Sequence, residues 1–374
     1  METESNIAFT PDRDGSGGYV FYVHDSALMA RWLNVQTGEV PRAAVVVAER
    51  VKDDSPSPHY AFSVSQTGSL AYQTGKTMLR SRLTWVDRRG VDIHSVGTSG
   101  LFRTISLSPT GKKMVTVKAE HAGTHVLYDL WVIDTGNDTS TRFTFDGRPK
   151  INAIWSPDGA RIAFGDGRPE RIVNVSKSLA GGVEEPMPTP PQMAVISDWS
   201  SSGHLLFSDE TSESYDLWGA DTKPFSKPFR YIQAPQRQMM GRFSPDAKWV
   251  AYASNESGRY EIWIQSFPSE RARWQISTEG GYEPVWRRDG KELFYRALDG
   301  KLMSVEIRHF EDSLEFSAPK ALFNTGLGVA TFGSNSHYFD VSMDGKQFLV
   351  NRPVEADIPA NMTVVVNWTA THVQ

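Results

Sequence analysis

Short strand-like runs alternate with polar turn clusters along the whole chain. Representative runs are Ala160–Phe164, Trp249–Tyr252 and Glu292–Tyr295. Each is rich in apolar, β-branched or aromatic residues and bounded by Gly, Pro, Asp or Ser, which is the pattern of a strand rather than of a helix. Just upstream of each lies an aromatic or apolar residue followed by Ser-Pro-Asp-Gly or a relic of it. The clearest copies are Trp155-Ser156-Pro157-Asp158-Gly159 and Phe243-Ser244-Pro245-Asp246-Ala247. Weaker copies end at Gly68, Gly111, Gly203, Gly290 and Gly345.

The marker is turn chemistry. Proline presets φ, aspartate bonds the backbone that follows it, and glycine accepts positive φ without steric cost. Each copy therefore predicts a tight hairpin between a first and a second strand. Successive markers fall 43, 48, 44, 44, 43 and 55 residues apart. Five of these six steps are near the roughly 40–45 residues of a four-stranded propeller blade. Third strands follow, as in Asp129–Ile133, Asp216–Trp218, Glu261–Ile264 and Lys301–Val305, and fourth strands end several units. A degenerate unit precedes the first marker, with Pro11–Gly18 as turn and Tyr19–Val23 as strand. The expected fold is all-β: one β-propeller over residues 1–374, built from four-stranded antiparallel blades, with eight blades favoured and seven the alternative. The last unit lacks a fourth strand, and Asn6–Thr10 is the expected donor, which would cover an exposed edge.

Composition agrees with a folded protein. Of 374 residues, 39% are hydrophobic, 22% charged and 11% aromatic. The net charge of -5 and the lack of a basic run argue against a nucleic-acid partner, since binding phosphate relies on Lys and Arg. With no cysteine, disulfides and thiol chemistry are excluded. Met1–Asp14 shows no basic segment followed by an apolar run, so no signal peptide is expected in this chain. No apolar stretch is long enough to suggest membrane insertion.

The repeat resembles the WD40-like PD40 repeat of TolB-type propellers. Three stretches, Leu83–Gly90, Phe243–Tyr260 and Trp286–Tyr295, resemble more narrowly the C-terminal propeller of acidobacterial Ser/Thr protein kinases. That resemblance implies a bacterial sensor domain in a periplasmic or extracytoplasmic setting. No kinase segment accompanies it here: the chain has no His-Arg-Asp loop, and Gly15-Ser16-Gly17-Gly18 precedes a strand rather than a helix. The Gly-x-Ser-x-Gly elbow of a hydrolase is absent as well.

Candidate chemistry is sparse. His121 and His125 are four apart, but they fall in an expected loop, Lys118–Tyr128, where solvent-exposed histidines are the simpler reading. The marker aspartates read as turn residues, and the recurring tryptophans as core. The strongest signal is polar residues in the first strands, which would line a central channel: Asp198, Arg242 and Asp340. His59, Arg103, Lys150, Glu283 and His337 are expected to rim its opening. These residues suggest a non-catalytic module that binds a protein, a peptide or a small ligand at the channel mouth. The alternative is a metal-assisted hydrolase holding a divalent metal in the channel through Asp198 and Asp340.

Overall fold

The computed structural model describes residues 6–12, 15–24, 27–41, 43–49, 51, 60–74, 80–122, 125–168, 171–190, 193–209, 215–223, 226–310, 313–327, 336–354, 362–366 and 368. Its regular elements are antiparallel strands, as the alternating runs require, and among the described residues no helix is long and apolar enough to cross a membrane. The chain divides into two compact units, Met1–Leu79 with Glu355–Gln374, and Arg80–Val354.

The first unit holds two sheets. Strands β1 (Ala8–Pro11), β2 (Gly17–His24), β3 (Ala27–Asn34) and β4 (Val45–Ala48) form one, in that order. The other has the order β31 (Met362–Val365), β6 (Leu70–Gln73) and β5 (Phe62–Val64). Between them Phe21, Leu28, Ala30, Leu70 and Trp368 are buried, and the Trp368 ring meets Tyr19 and Phe21 edge-on at 5.0 Å. The strand expected to complete the last blade behaves differently. Residues 8–11 pair with β2, Phe9 opposite Val20, across a turn closed by the Asp12 N–H to the Gly17 carbonyl. A hairpin of neighbouring strands closes a far shorter loop than pairing with the distant C-terminal strands would, and so costs less chain entropy.

The second unit holds six hairpin-led sheets, of which the first and the last are joined through one strand into a continuous seven-stranded sheet. Strand β8 (Asp92–Leu107) is shared: its second half pairs with β9 (Lys113–Ala122), followed by β10 (His125–Asp134) and β11 (Ser140–Arg142). Then come β12 (Lys150–Trp155), β13 (Arg161–Arg168), β14 (Arg171–Ser178) and β15 (Glu185–Pro186). The third sheet is β16 (Ala194–Trp199), β17 (His204–Asp209), β18 (Leu217–Asp221) and β19 (Phe229–Ile232). The fourth is β20 (Gln238–Phe243), β21 (Trp249–Ser254), β22 (Glu261–Ser266) and β23 (Arg273–Gln275). The fifth is β24 (Tyr282–Trp286), β25 (Glu292–Arg296) and β26 (Lys301–His309), with β27 (Leu314–Phe316) and β28 (Lys320–Asn324) both on β26. In the last, β29 (Phe339–Val341) and β30 (Gln347–Pro353) take β7 (Ser81–Asp87) and the first half of β8 as third and fourth strands. The donor to the final hairpin is therefore Ser81–Gly100, held by a β30–β7 ladder running from Gln347 opposite Asp87 to Pro353 opposite Ser81.

All eight expected hairpins form, two in the first unit and six in the second. The first strands of the second unit touch in sequence: β8 with β12, β12 with β16, β16 with β20, β20 with β24, β24 with β29, and β29 with β8. The apolar core lies between neighbouring sheets, for example Ile154, Ala163, Ile196, Leu205 and Phe207. One expected loop is mostly strand, since β9 and β10 carry the ladder through Val126 opposite His121 to His125 opposite Ala122. The residues on either side, Val115, Val117, Leu127 and Leu130, are strand formers and extend the pairing.

The marker residues do what turn chemistry asks. Ser156 Oγ donates to Asp158 Oδ1 at 2.6 Å and accepts the Arg161 N–H at 2.9 Å, while the Ala160 N–H donates to Asp158. Ser244 with Asp246, and Ser342 with Asp344, repeat the pattern. Gly159 sits at φ 70°, and the same position in the next-but-one hairpin is Ala247 at φ 58°. The tryptophans divide. Trp155 and Trp286 are buried, and their indole N–H groups donate to the Ser106 and Arg242 carbonyls of the preceding sheet. Trp131 and Trp263 are half-buried, under the Lys118 and Arg273 cations.

Candidate functional site

The first strands of the second unit are not regular. Register shifts fall between Phe102 and Thr104, Ile151 and Ala153, Ile196 and Asp198, Met239 and Arg242, and Tyr282 and Val285. Five sheets thus carry a bulge at nearly the same level, and Asn152, Met240 and Glu283 take positive φ there. A bulge bends its strand and re-aims the side chains around it. Asp198 and Arg242 stand just past the bulges of their strands, and Asp340 lies in β29, the first strand of the last sheet.

Arg242 is the hub. Its Nη1 lies 3.4 Å from Asp198 Oδ1, and its Nε donates to His337 Nε2 at 3.2 Å. These three residues come from β20, β16 and the segment entering β29. The Arg242 and Asp198 side chains keep 15% and 20% exposure, so water reaches both. Asp198 Oδ2 also accepts the Phe243 N–H at 2.7 Å, and Asp340 Oδ2 accepts the Leu107 N–H at 2.7 Å. Both aspartates thereby tie a first strand to its neighbour. His337 is buried, its carbonyl accepting the Ile105 N–H. Burial pushes the Asp340 carboxyl above its usual range, against the Leu107 N–H and the charges of Arg242 and Arg288.

The other rim candidates are engaged elsewhere. Glu283 is wholly buried, with Oε2 at 2.8 Å from Arg296 Nε and Oε1 accepting the Tyr338 N–H at 3.2 Å. Burial raises its carboxyl, offset by Arg296 and, more weakly, Arg242. Lys150 is buried rather than at a rim: its Nζ lies 2.7 Å from both Asp146 and Asp166. A lysine can be buried this way because two carboxylates replace its lost water. Arg103 stacks over Tyr128 at 4.7 Å, outside the Arg242 cluster. His59 lies outside the described residues. So the structure brings together Asp198, Arg242 and His337, with Asp340 and Glu283 in electrostatic reach of Arg242.

Sequence reasoning missed Arg288. It occupies the marker position held by Pro109, Pro157 and Pro245 in other hairpins, and that departure was the available signal. Its Nη2 reaches the Ser108 carbonyl at 3.4 Å, from the fifth sheet to the first. Among the described residues, the carboxylate trio spaced to hold a metal is Asp146, Asp166 and Glu184, which includes neither Asp198 nor Asp340. Lys150, Arg148 and Arg168 already neutralise that trio, Arg148 Nη1 lying 3.1 Å and Arg168 Nε 3.3 Å from Asp166.

A TolB-type protein of Agrobacterium tumefaciens superposes with a TM-score of 0.56 at 17% identity, over 74% of this chain and 99% of that one. The fold is that of a TolB-type β-propeller. TolB of Acinetobacter baumannii matches at 12% identity over 85% of this chain and 82% of that one, with a TM-score of 0.47. A prolyl endopeptidase matches at 11% identity and a TM-score of 0.46, over 85% of this chain and 50% of that one. The sequence matches no protein-family model and no curated protein.

Proposed function

We propose that the six sheets of the second unit close into a six-bladed ring, and that the chain is a non-catalytic binding module acting through the channel this ring encloses. The cyclic contacts of the first strands and the strand exchange at β30 and β7 support the closure. The observation that carries the binding reading is Arg242, a water-accessible guanidinium held by Asp198 and His337 from two other sheets, which the proposed ring would set in its channel. Such a group is expensive to place among packed strands, and recognition of a partner explains it better than packing does. The carboxylates around it are bound to backbone N–H groups or to Arg242, which leaves them poorly placed to hold a metal for hydrolysis. The resemblance of Phe243–Tyr260 to receptor-kinase propellers supports a sensor role, with a protein or peptide as the partner.

The test is selection from a random peptide display library on the immobilised full chain, with the Arg242→Leu variant as counter-selection. Peptides enriched by the native protein and not by the variant support the reading. No enrichment, or equal enrichment on both, refutes channel recognition.

A further inference from the structure

The sheet of β31, β6 and β5 stops one strand short. Among the described residues it has three strands, while every other sheet has four or more. β6 lies in its middle, paired with β5 on one side and with β31 on the other, so β31 is an edge. Among the described residues no strand lies beyond it, and its outward backbone groups are open to a further strand. Its side chains alternate. Val365 packs against the core around Phe21 and Trp368, whereas Met362, Val364 and Val366 are 71%, 60% and 68% exposed.

This edge also lacks what guards the edges of the second unit. Natural sheets keep their edges from pairing with charged residues or proline. The fourth strands of the second unit carry such residues: Arg142 in β11, Glu185 and Pro186 in β15, Arg230 in β19, Arg273 in β23 and Lys320 in β28. Met362–Val366 has neither. β4 is uncharged too, but it is already the fourth strand of its sheet.

We infer that β31 pairs antiparallel with β31 of a second copy of this chain, about a twofold axis at Val364. That register sets Val364 opposite its own counterpart and Met362 opposite Val366 of the second copy. The exposed apolar side chains of both strands then share one face of the joined sheet, as cross-strand pairs do. Each three-stranded sheet gains its fourth strand from the other. A second copy suits this edge because self-pairing sets no like charges opposite each other, and the strand offers no charge by which a different protein would be selected. One pair of short strands is small against the roughly 1,600 Å² of a standard interface, so the dimer is weak and grows with concentration. The contact lies in the first unit and does not depend on the channel reading.

The chain has no cysteine, so one introduced thiol reads the register. Directly opposite residues of an antiparallel pair have Cα atoms roughly 4.5–5.5 Å apart, within disulfide reach. Met362 and its own counterpart would be offset by four residues, roughly 13 Å, beyond that reach. Under mild oxidation of the full chain, Val364→Cys is expected to give a linked dimer and Met362→Cys alone none. Met362→Cys mixed with Val366→Cys should give a linked heterodimer. Val364→Lys sets two ammonium groups face to face and should weaken the dimer seen by sedimentation velocity at least about tenfold, with Val46→Lys in β4 leaving it unchanged. These side chains are exposed, so the variants keep the fold, and an unchanged melting temperature confirms it. A chain monomeric at every concentration, no link from Val364→Cys, a link formed as readily from Met362→Cys alone, or a dimer that survives Val364→Lys overturns the inference.

Discussion

Arg296→Met is the most informative single change. Arg296 and Glu283 are both fully buried, 2.8 Å apart, and the guanidinium also lies over the Tyr282 ring at 4.3 Å. Methionine keeps most of the stem volume and removes the charge. Glu283 would then fold only with its proton on. Its ordinary value is 4.5, and burial already raises it against the pull of Arg296. Taking up a proton at pH 7 costs up to about 3.5 kcal/mol, at about 1.4 kcal/mol per pH unit above that ordinary value, and under about 1 kcal/mol at pH 5. The sign comes from proton counting: the folded variant binds one proton more than the unfolded chain, so its stability rises as pH falls. The neutral-pH figure agrees with the roughly 3–5 kcal/mol for breaking a buried pair by removing one partner. Urea unfolding of native and variant chains at pH 7 and pH 5 reads both numbers. The double variant Glu283→Gln/Arg296→Met should recover most of the neutral-pH loss. A deficit below about 1 kcal/mol at pH 7, or the same deficit at both pH values, would refute the reasoning.

Other changes test the hairpins, the strand ties and the acid range. Ala247 occupies the left-handed position that glycine fills in the other hairpins, so Ala247→Gly should stabilise by about 0.5–1 kcal/mol in thermal unfolding, the relief exceeding the added chain entropy. Asp340→Ala and Asp198→Ala orphan the Leu107 and Phe243 N–H groups and should each cost about 1–3 kcal/mol, whereas the Asn variants, still able to accept, should cost less. Asp146 is held down to about 2 by its bonds to Lys150 and Arg148, against the opposing effect of burial. Its contribution is complete above pH 3.8 and is lost as pH falls towards 2; Asp146→Asn should flatten acid unfolding in that window by about 1 kcal/mol after screening.

How legible the fold was depended on range. Ser156, Asp158 and Gly159 bond within their own turn, so five residues of sequence were enough to place the hairpin and both its strands. Strand pairing across the chain was not legible, because the β7 sequence Ser81–Asp87 suits a ladder with β6 just before it as well as one with β30, and alternation does not name the partner. Asn6–Thr10 failed as a donor for the same reason. At the site, polar residues in otherwise apolar first strands singled out Asp198, Arg242 and Asp340, and the structure pairs the first two and ties all three to neighbouring strands. Lys150 and Glu283 were expected at the rim but found buried counter-charges in Asp166 and Arg296, which only the folded sheets bring near. Arg288 was hidden inside a turn motif, where a residue is easily read as turn and nothing else.

The two ends of the second unit leave it side by side. The Val354 N–H donates to the Arg80 carbonyl at 2.8 Å, and Pro353 stands opposite Ser81. Arg80–Val354 is thus a parenthesis in the chain, opened and closed at one point, a strand spacing of roughly 5 Å across. A host loop could receive such a segment without parting its own neighbours, and new ends could be cut at any of its hairpins if Arg80 and Val354 were joined. The same geometry makes the β7–β30 ladder a zipper loaded from both ends: tension on the flanking segments pulls apart the Arg80–Val354 bond first, then the pairs in order towards Asp87 and Gln347. A pull on the chain would therefore open the β7–β30 ladder one rung at a time and, through β8, bear next on the sheet that shares that strand.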